Sequence, residues 1–107
     1  MNEQSKYGIP NTDLNGIVSV LKNIAQIEKV IIYGSRAKGN YSNGSDIDLA
    51  LKGEDLSLDE LIRASSEIDE LNLPYKIDLT IYNRIQEPAL LDHINRVGGL
   101  LFDRNPK

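Results

Sequence analysis

There is no cysteine in this chain, so disulfides and thiolate metal sites are both excluded. No apolar run is long enough to cross a bilayer. The first ten residues, Met1 to Pro10, are polar and lack the apolar centre of a secretion signal, so the expected location is cytoplasmic. Twelve lysines and arginines face sixteen acids, and no basic stripe gathers the positive charge. That balance, a net charge of −4, argues against tight binding to long nucleic acid, although local charge can still hold a nucleotide. No internal repeat, low-complexity tract or linker interrupts the chain. With 40% hydrophobic and 26% charged residues, the composition fits one domain over residues 1–107, with a single modest core spanning about 12–103.

One further absence is local. From Ser35 to Ser45 there is no acid, while Arg36 and Lys38 bring positive charge. The segment follows Val30, Ile31, Ile32 and Tyr33, a β-branched and aromatic run of the kind that makes a buried strand, which stops at Gly34 and Ser35. Glycine there permits backbone angles closed to other residues and lets a ligand approach the chain. The residues after it can open a helix whose free N–H groups point at an anion. A phosphate fits such a turn.

The next strand, Asp46 to Leu51, alternates. Asp46, Asp48 and Ala50 share one side, and Ile47, Leu49 and Leu51 the other. Two carboxylates on one face repel unless one takes a proton or a cation sits between them, and magnesium suits carboxylates combined with phosphate oxygens. In Lys76 to Tyr82 the same alternation puts Asp78 on a polar face with Thr80 and sends Ile77, Leu79 and Ile81 to the core. If the two strands are neighbours, three carboxylates converge into a two-metal site for phosphoryl or nucleotidyl transfer.

The remaining segments read as scaffold. Leu14, Ile17, Val18, Leu21 and Ile24 recur at helical spacing after Thr12, a candidate N-cap. Ser57 and Glu60 form a capping box for a second helix with Leu58, Leu61, Ile62, Ile68 and Leu71 inward, ended before the Asp78 strand by Leu73-Pro74. Pro88 suits the first turn of a third helix with Leu90, Leu91, Ile94 and Val97 inward, ending at Gly98-Gly99. Leu100 to Asp103 adds a short final strand. The expected fold is α/β, a mixed sheet with helices packed on one face and the acids on the open one. His93, the only histidine, reads as a partly exposed helix residue, Tyr41 as a surface loop residue and Tyr33 as core or turn packing. Arg36 faces either a phosphate or a nearby carboxylate, and Lys38 is solvated.

Gly34-Ser35, ten residues, and then Asp46-Ile47-Asp48, with a later strand Asp78, is the spacing that resembles the DNA polymerase β-type nucleotidyltransferase superfamily. Within it, Tyr-Gly-Ser-Arg-Ala-Lys-Gly and Ser-Asp-Ile-Asp-Leu most resemble the minimal nucleotidyltransferase (MNT) proteins, the MntA-like antitoxins of HEPN/MNT toxin–antitoxin systems. The resemblance implies a single palm-like nucleotidyltransferase domain. It further implies transfer of AMP from ATP to a hydroxyl acceptor, with two Mg2+ ions held by Asp46, Asp48 and Asp78. Asp78 would also help take the acceptor's proton, Gly34 and Ser35 would hold the β- and γ-phosphates, and Arg36 would neutralise charge as pyrophosphate leaves. The implied partner is a HEPN-domain protein, and the implied acceptor a tyrosine on it, AMPylated by this chain as the antitoxin of a type VII pair. A homodimer or hetero-oligomer is compatible with so small a chain. Two other readings stay open, a non-catalytic antitoxin that binds its partner and a small-molecule nucleotidyltransferase of the aminoglycoside-modifying kind; addition to nucleic-acid ends is disfavoured by the scarcity of basic surface.

Overall fold

A computed structural model of the chain describes residues 7–105. The elements run α1 (Asn11–Lys22), β1 (Lys29–Tyr33), α2 (Gly34–Lys38), β2 (Ile47–Lys52), α3 (Leu58–Asp69), β3 (Ile77–Ile81), a 3-10 turn (Tyr82–Arg84), α4 (Pro88–Val97) and β4 (Gly99–Asp103). The sheet is mixed, in the order β3-β2-β1-β4. β1 runs antiparallel to both β2 and β4, and β2 pairs with β3 in parallel. This is the expected α/β architecture.

Strand alternation divides the apolar residues between two faces. Val30 and Ile32 from β1, Ile47, Leu49 and Leu51 from β2 and Ile81 from β3 meet Leu14, Ile17 and Leu21 of α1 and Ala64 and Ile68 of α3 in the main core. Tyr7 and Ile9, ahead of α1, are buried in the same core. A smaller cluster lies on the other face, where Ile94 of α4 packs on Tyr33 and Ala50, with Ile31, Tyr82, Ile85 and Leu90 around it. α1 and α3 thus back one side of the sheet, and α4 closes over β1 on the acid-bearing side, so the helices are not confined to one face as expected: the apolar stripe of α4 is buried on Tyr33 and Ala50.

The helix ends follow local chemistry, with some departures from expectation. α1 begins at Asn11, not after Thr12: Pro10 occupies the cap position, and the Leu14 N–H donates to its carbonyl at 3.0 Å. Proline has its φ fixed in advance, and its carbonyl starts the helix without a side-chain cap. α3 has the expected capping box. The Ser57 N–H donates to Glu60 Oε1 at 2.7 Å, and the Ser57 hydroxyl donates to the same oxygen at 2.6 Å. These bonds, side chain first, hold the Glu60 carboxyl below its ordinary pKa. α4 has Pro88 in its first turn and stops at Gly98.

Two residues assigned inward on α3 are exposed instead, Leu58 at 52% and Ile62 at 59%. The first turns of this helix reach past the sheet to the outer edge of β3. There Leu58 and Leu61 line a hollow of about 420 Å³ with Leu79, Ile81, Ile85 and Leu90. The apolar stripe of α3 is longer than the sheet surface it covers. Leu100, on the edge strand β4, is also exposed.

Candidate active site

The turn after β1 places Gly34 at φ +76°, in the left-handed region that favours glycine. A side chain could not be added there, because a Cβ would overlap the carboxylate of Asp48. Gly34 and Ser35 then open α2, which stops at Gly39 with φ +90°.

β2 begins at Ile47, so Asp46 sits one residue outside the strand and is exposed. The Ile47 N–H donates to the Lys76 carbonyl at 2.9 Å, which fixes the start of the pairing with β3. From there the register runs Ile47 opposite Ile77, Asp48 opposite Asp78 and Ala50 opposite Thr80. On the other side of β2, Tyr33 stands opposite Asp48. Tyr33, Asp48 and Asp78 therefore form one row across three strands, on the face away from the main core. The Tyr33 hydroxyl donates to Thr80 Oγ1 at 3.3 Å, in the next row.

The row concentrates negative charge. Burial, then Asp78, then Asp46 push the Asp48 carboxyl above its ordinary pKa, with Lys76 acting the other way. Burial likewise raises the Tyr33 phenol, partly offset by its bond to Thr80 and reinforced by Asp48 and Asp78. The ion pairs among the described residues are Lys29 with Asp103, Arg63 with Glu67 and Arg96 with Asp92, and none involves Asp46, Asp48 or Asp78. Among the described residues no group of three or more histidine or acidic side chains is placed to hold a metal ion, so the expected convergence of three carboxylates is seen only as the Asp48–Asp78 pair, with Asp46 exposed before the strand. What the site supplies is hard oxygen donors with an excess of like charge beside a glycine turn. Magnesium fits that donor chemistry, since it binds through one or two carboxylates completed by water and phosphate oxygens.

Arg36 departs from expectation. It is 1% exposed, and all five of its N–H donors go to backbone carbonyls. Nε donates to Ser45 O at 3.1 Å, Nη1 to Tyr7 O at 3.0 Å and Gly8 O at 3.3 Å, and Nη2 to Asn43 O at 3.2 Å and Ser45 O at 3.0 Å. The rings of Tyr41 and Tyr75 cover it from 5.3 Å each. No donor is left for a phosphate, and no carboxylate pairs with it directly. It ties the loop that delivers Asp46 to the segment ahead of α1. Tyr41, read as a surface residue, belongs to this clamp. Tyr75 links it to α1 through a bond from its hydroxyl to Asp13 Oδ2 at 3.3 Å. Lys38 is exposed, as expected.

His93 is the residue that sequence reasoning undervalued. Its Nε2 accepts the Gly34 N–H at 2.9 Å, and its ring stands edge-on to Tyr33 at 6.2 Å and 77°. The signal was available in the spacing. Leu90, His93, Ile94 and Val97 share one helix face, so the inward stripe of α4 carries the histidine to the glycine turn.

The family model described as "Polymerase beta, Nucleotidyltransferase" matches residues 15–107. No curated protein matches the chain. Among solved structures, a chain of a toxin–antitoxin complex with AMP-PNP superposes with a TM-score of 0.69 at 21% identity, covering 84% of this chain and 73% of its own. A chain from the complex of tri-AMPylated Shewanella oneidensis HEPN toxin with MNT antitoxin gives 0.64 at 19%, covering 86% and 71%. A chain of an MntA–HepT toxin–antitoxin complex gives 0.63 at 19%, with the same coverage. These likenesses establish the shared fold.

Proposed function

Because the chain belongs to the polymerase β nucleotidyltransferase family, we propose that it transfers AMP from ATP to a hydroxyl acceptor on a HEPN-domain partner, most readily a tyrosine, and so acts as an antitoxin. The observation that carries the reading is the pairing of Asp48 with Asp78 in register beside Gly34, with no cation among the described residues bonded to either. A carboxylate pair with no directly bonded cation is costly for a fold to keep and is suited to a ligand that brings positive charge.

Asp46, Asp48 and Asp78 are the residues that would hold two magnesium ions. Bound there, the ions would screen the phosphates and favour attack at phosphorus. Gly34 and Ser35 take the β- and γ-phosphates on the turn. Asp78, on the sheet's edge strand, takes the acceptor's hydroxyl proton as the acceptor oxygen bonds to the α-phosphorus. The α–β phosphoanhydride bond breaks, and pyrophosphate leaves. Arg36 takes no part in contacting the nucleotide and fixes the loop before Asp46.

The complex of HEPN toxin with MNT antitoxin named above supports a HEPN protein as the source of the acceptor. The test is intact-mass spectrometry of a HEPN-domain protein that co-purifies with this chain, after incubation with ATP, magnesium and this protein. A gain of one or more AMP units, lost with the Asp46→Ala, Asp48→Ala double variant, is the expected result. No gain, with a stable complex in both cases, would instead identify a binding antitoxin.

A further inference from the structure

The first donor of the proposed phosphate turn is already engaged. The Gly34 N–H donates to His93 Nε2 at 2.9 Å. A ring nitrogen that accepts carries no proton, so this bond holds His93 as the Nδ1–H tautomer. The ring is steadied by its edge-on contact with Tyr33, and its helix by Ile94, which is buried against Tyr33 and Ala50. Gly34 is thus held from two sides, by His93 on its N–H and by the Asp48 carboxylate packed where a Cβ would stand. Seating a phosphate on that N–H means breaking the bond to His93.

We propose that His93 is a positioning residue that stands in for the nucleotide. In the free protein its Nε2 keeps the Gly34 N–H aimed, and a nucleoside triphosphate exchanges that acceptor for a phosphate oxygen. The proposal rests on the reading of Gly34 and Ser35 as the phosphate turn. The exchange runs in the ligand's favour, because a hydrogen bond to a charged oxygen is stronger than one to a neutral imidazole. It also weakens binding by whatever the His93 bond contributed, and a ligand without phosphate gains nothing from it. His93 therefore sets the affinity for the phosphate chain and not for the nucleoside.

The test compares calorimetric binding of magnesium-ATP and of adenosine to the wild type, His93→Phe and His93→Gln, with melting curves for each. Phenylalanine keeps a ring against Tyr33 and offers no acceptor, whereas glutamine restores one. The Phe variant should bind magnesium-ATP roughly three- to tenfold more tightly and the Gln variant within about twofold of wild type, with adenosine unchanged throughout. Weaker binding by the Phe variant would overturn the proposal and make the imidazole a phosphate contact; equal affinity in all three would overturn it as well. Should the Phe variant not fold, the wild type decides: the 15N resonance of His93 Nε2 must lose its hydrogen-bonded shift on saturation with magnesium-ATP, and its persistence overturns the exchange. Magnesium-ATP binding by none of the proteins would overturn the nucleotide reading together with this inference. Binding by the Phe variant alone would sustain both.

Discussion

Arg36 and Asp48 carry opposite charges near the same turn, and their surroundings treat those charges in opposite ways. Arg36 is taken out of water and repaid in full, with five donors on five carbonyl contacts and two tyrosine rings against its guanidinium. Asp48 keeps part of its exposure and faces two more acids, with no cation among the described residues bonded to it. A buried charge whose every bond is met has no capacity left for a ligand, so its effect is on the fold. A partly open charge crowded by its own sign has that capacity, and its effect is on chemistry. The family motif contains both residues, and only their partners tell the two roles apart.

The sharpest way to break this comparison is Asp48→Asn. AMP transfer should fall by roughly a thousandfold or more, as expected when a charge-stabilising group is lost from a nucleotidyl-transfer site, while the melting temperature holds or rises because repulsion with Asp78 and Asp46 is relieved. A melting temperature that dropped steeply would put Asp48 in the same class as Arg36. Next comes Arg36→Met, which strands several carbonyls in a buried pocket. It should cost on the order of 3 kcal/mol and lower the melting temperature by roughly 10–20 °C, measured by calorimetry.

Gly34→Ala stands between the two regions. The positive φ and the crowding against the Asp48 carboxylate should cost about 1–3 kcal/mol, and the same displacement should remove transfer activity, which a coupled melt and activity assay would register. Ser57→Ala removes the cap of α3 and serves as the scaffold control. Loss of the cap should cost about 1 kcal/mol, visible as a shift in denaturant midpoint with activity per folded molecule unchanged.

The smallest effect is in pH. Asp48 has a raised folded pKa, so the folded state holds its proton more firmly than the unfolded state does. Stability from this group therefore declines as pH rises from the ordinary aspartate range through the raised value. Glu60 is lowered, so its contribution is full above the ordinary glutamate value and fades as pH falls through the lowered one. Melting curves across the acid range should show the advantage of Asp48→Asn over wild type growing with pH. The deficit of Glu60→Gln should shrink toward acid. Parallel curves would mean that neither carboxyl is perturbed as described.

Much of the scaffold was legible because short-range rules fixed it. Period-two alternation put Asp48 and Asp78 on the face opposite Leu49 and Leu79. The spacing of Leu14, Ile17 and Leu21 made α1, and Ser57 with Glu60 announced the start of α3. The misreadings have separate causes. Thr12 looked like a cap, but Pro10 two residues earlier had already set the chain for a helix. Leu58 and Ile62 fit the inward stripe of α3, yet periodicity does not reveal where the sheet beneath it ends. Arg36 was read against a phosphate or a nearby carboxylate, since its actual partners are backbone carbonyls, which leave no trace in side-chain identity.

By itself the sequence determined which side chains share a face, where chain breaks fall and which acids are candidates for a site, since these depend on backbone periods and local hydrogen bonds. The tertiary structure decided the rest. Pairing β2 with β3 in parallel set Asp48 directly beside Asp78, the packing of α4 brought His93 onto the Gly34 N–H, and the loop fold spent every donor of Arg36 on carbonyls. Each of those facts depends on strand order, helix docking or loop path. Contacts between segments distant along the chain follow from packing of the whole core, and no local pattern encodes them.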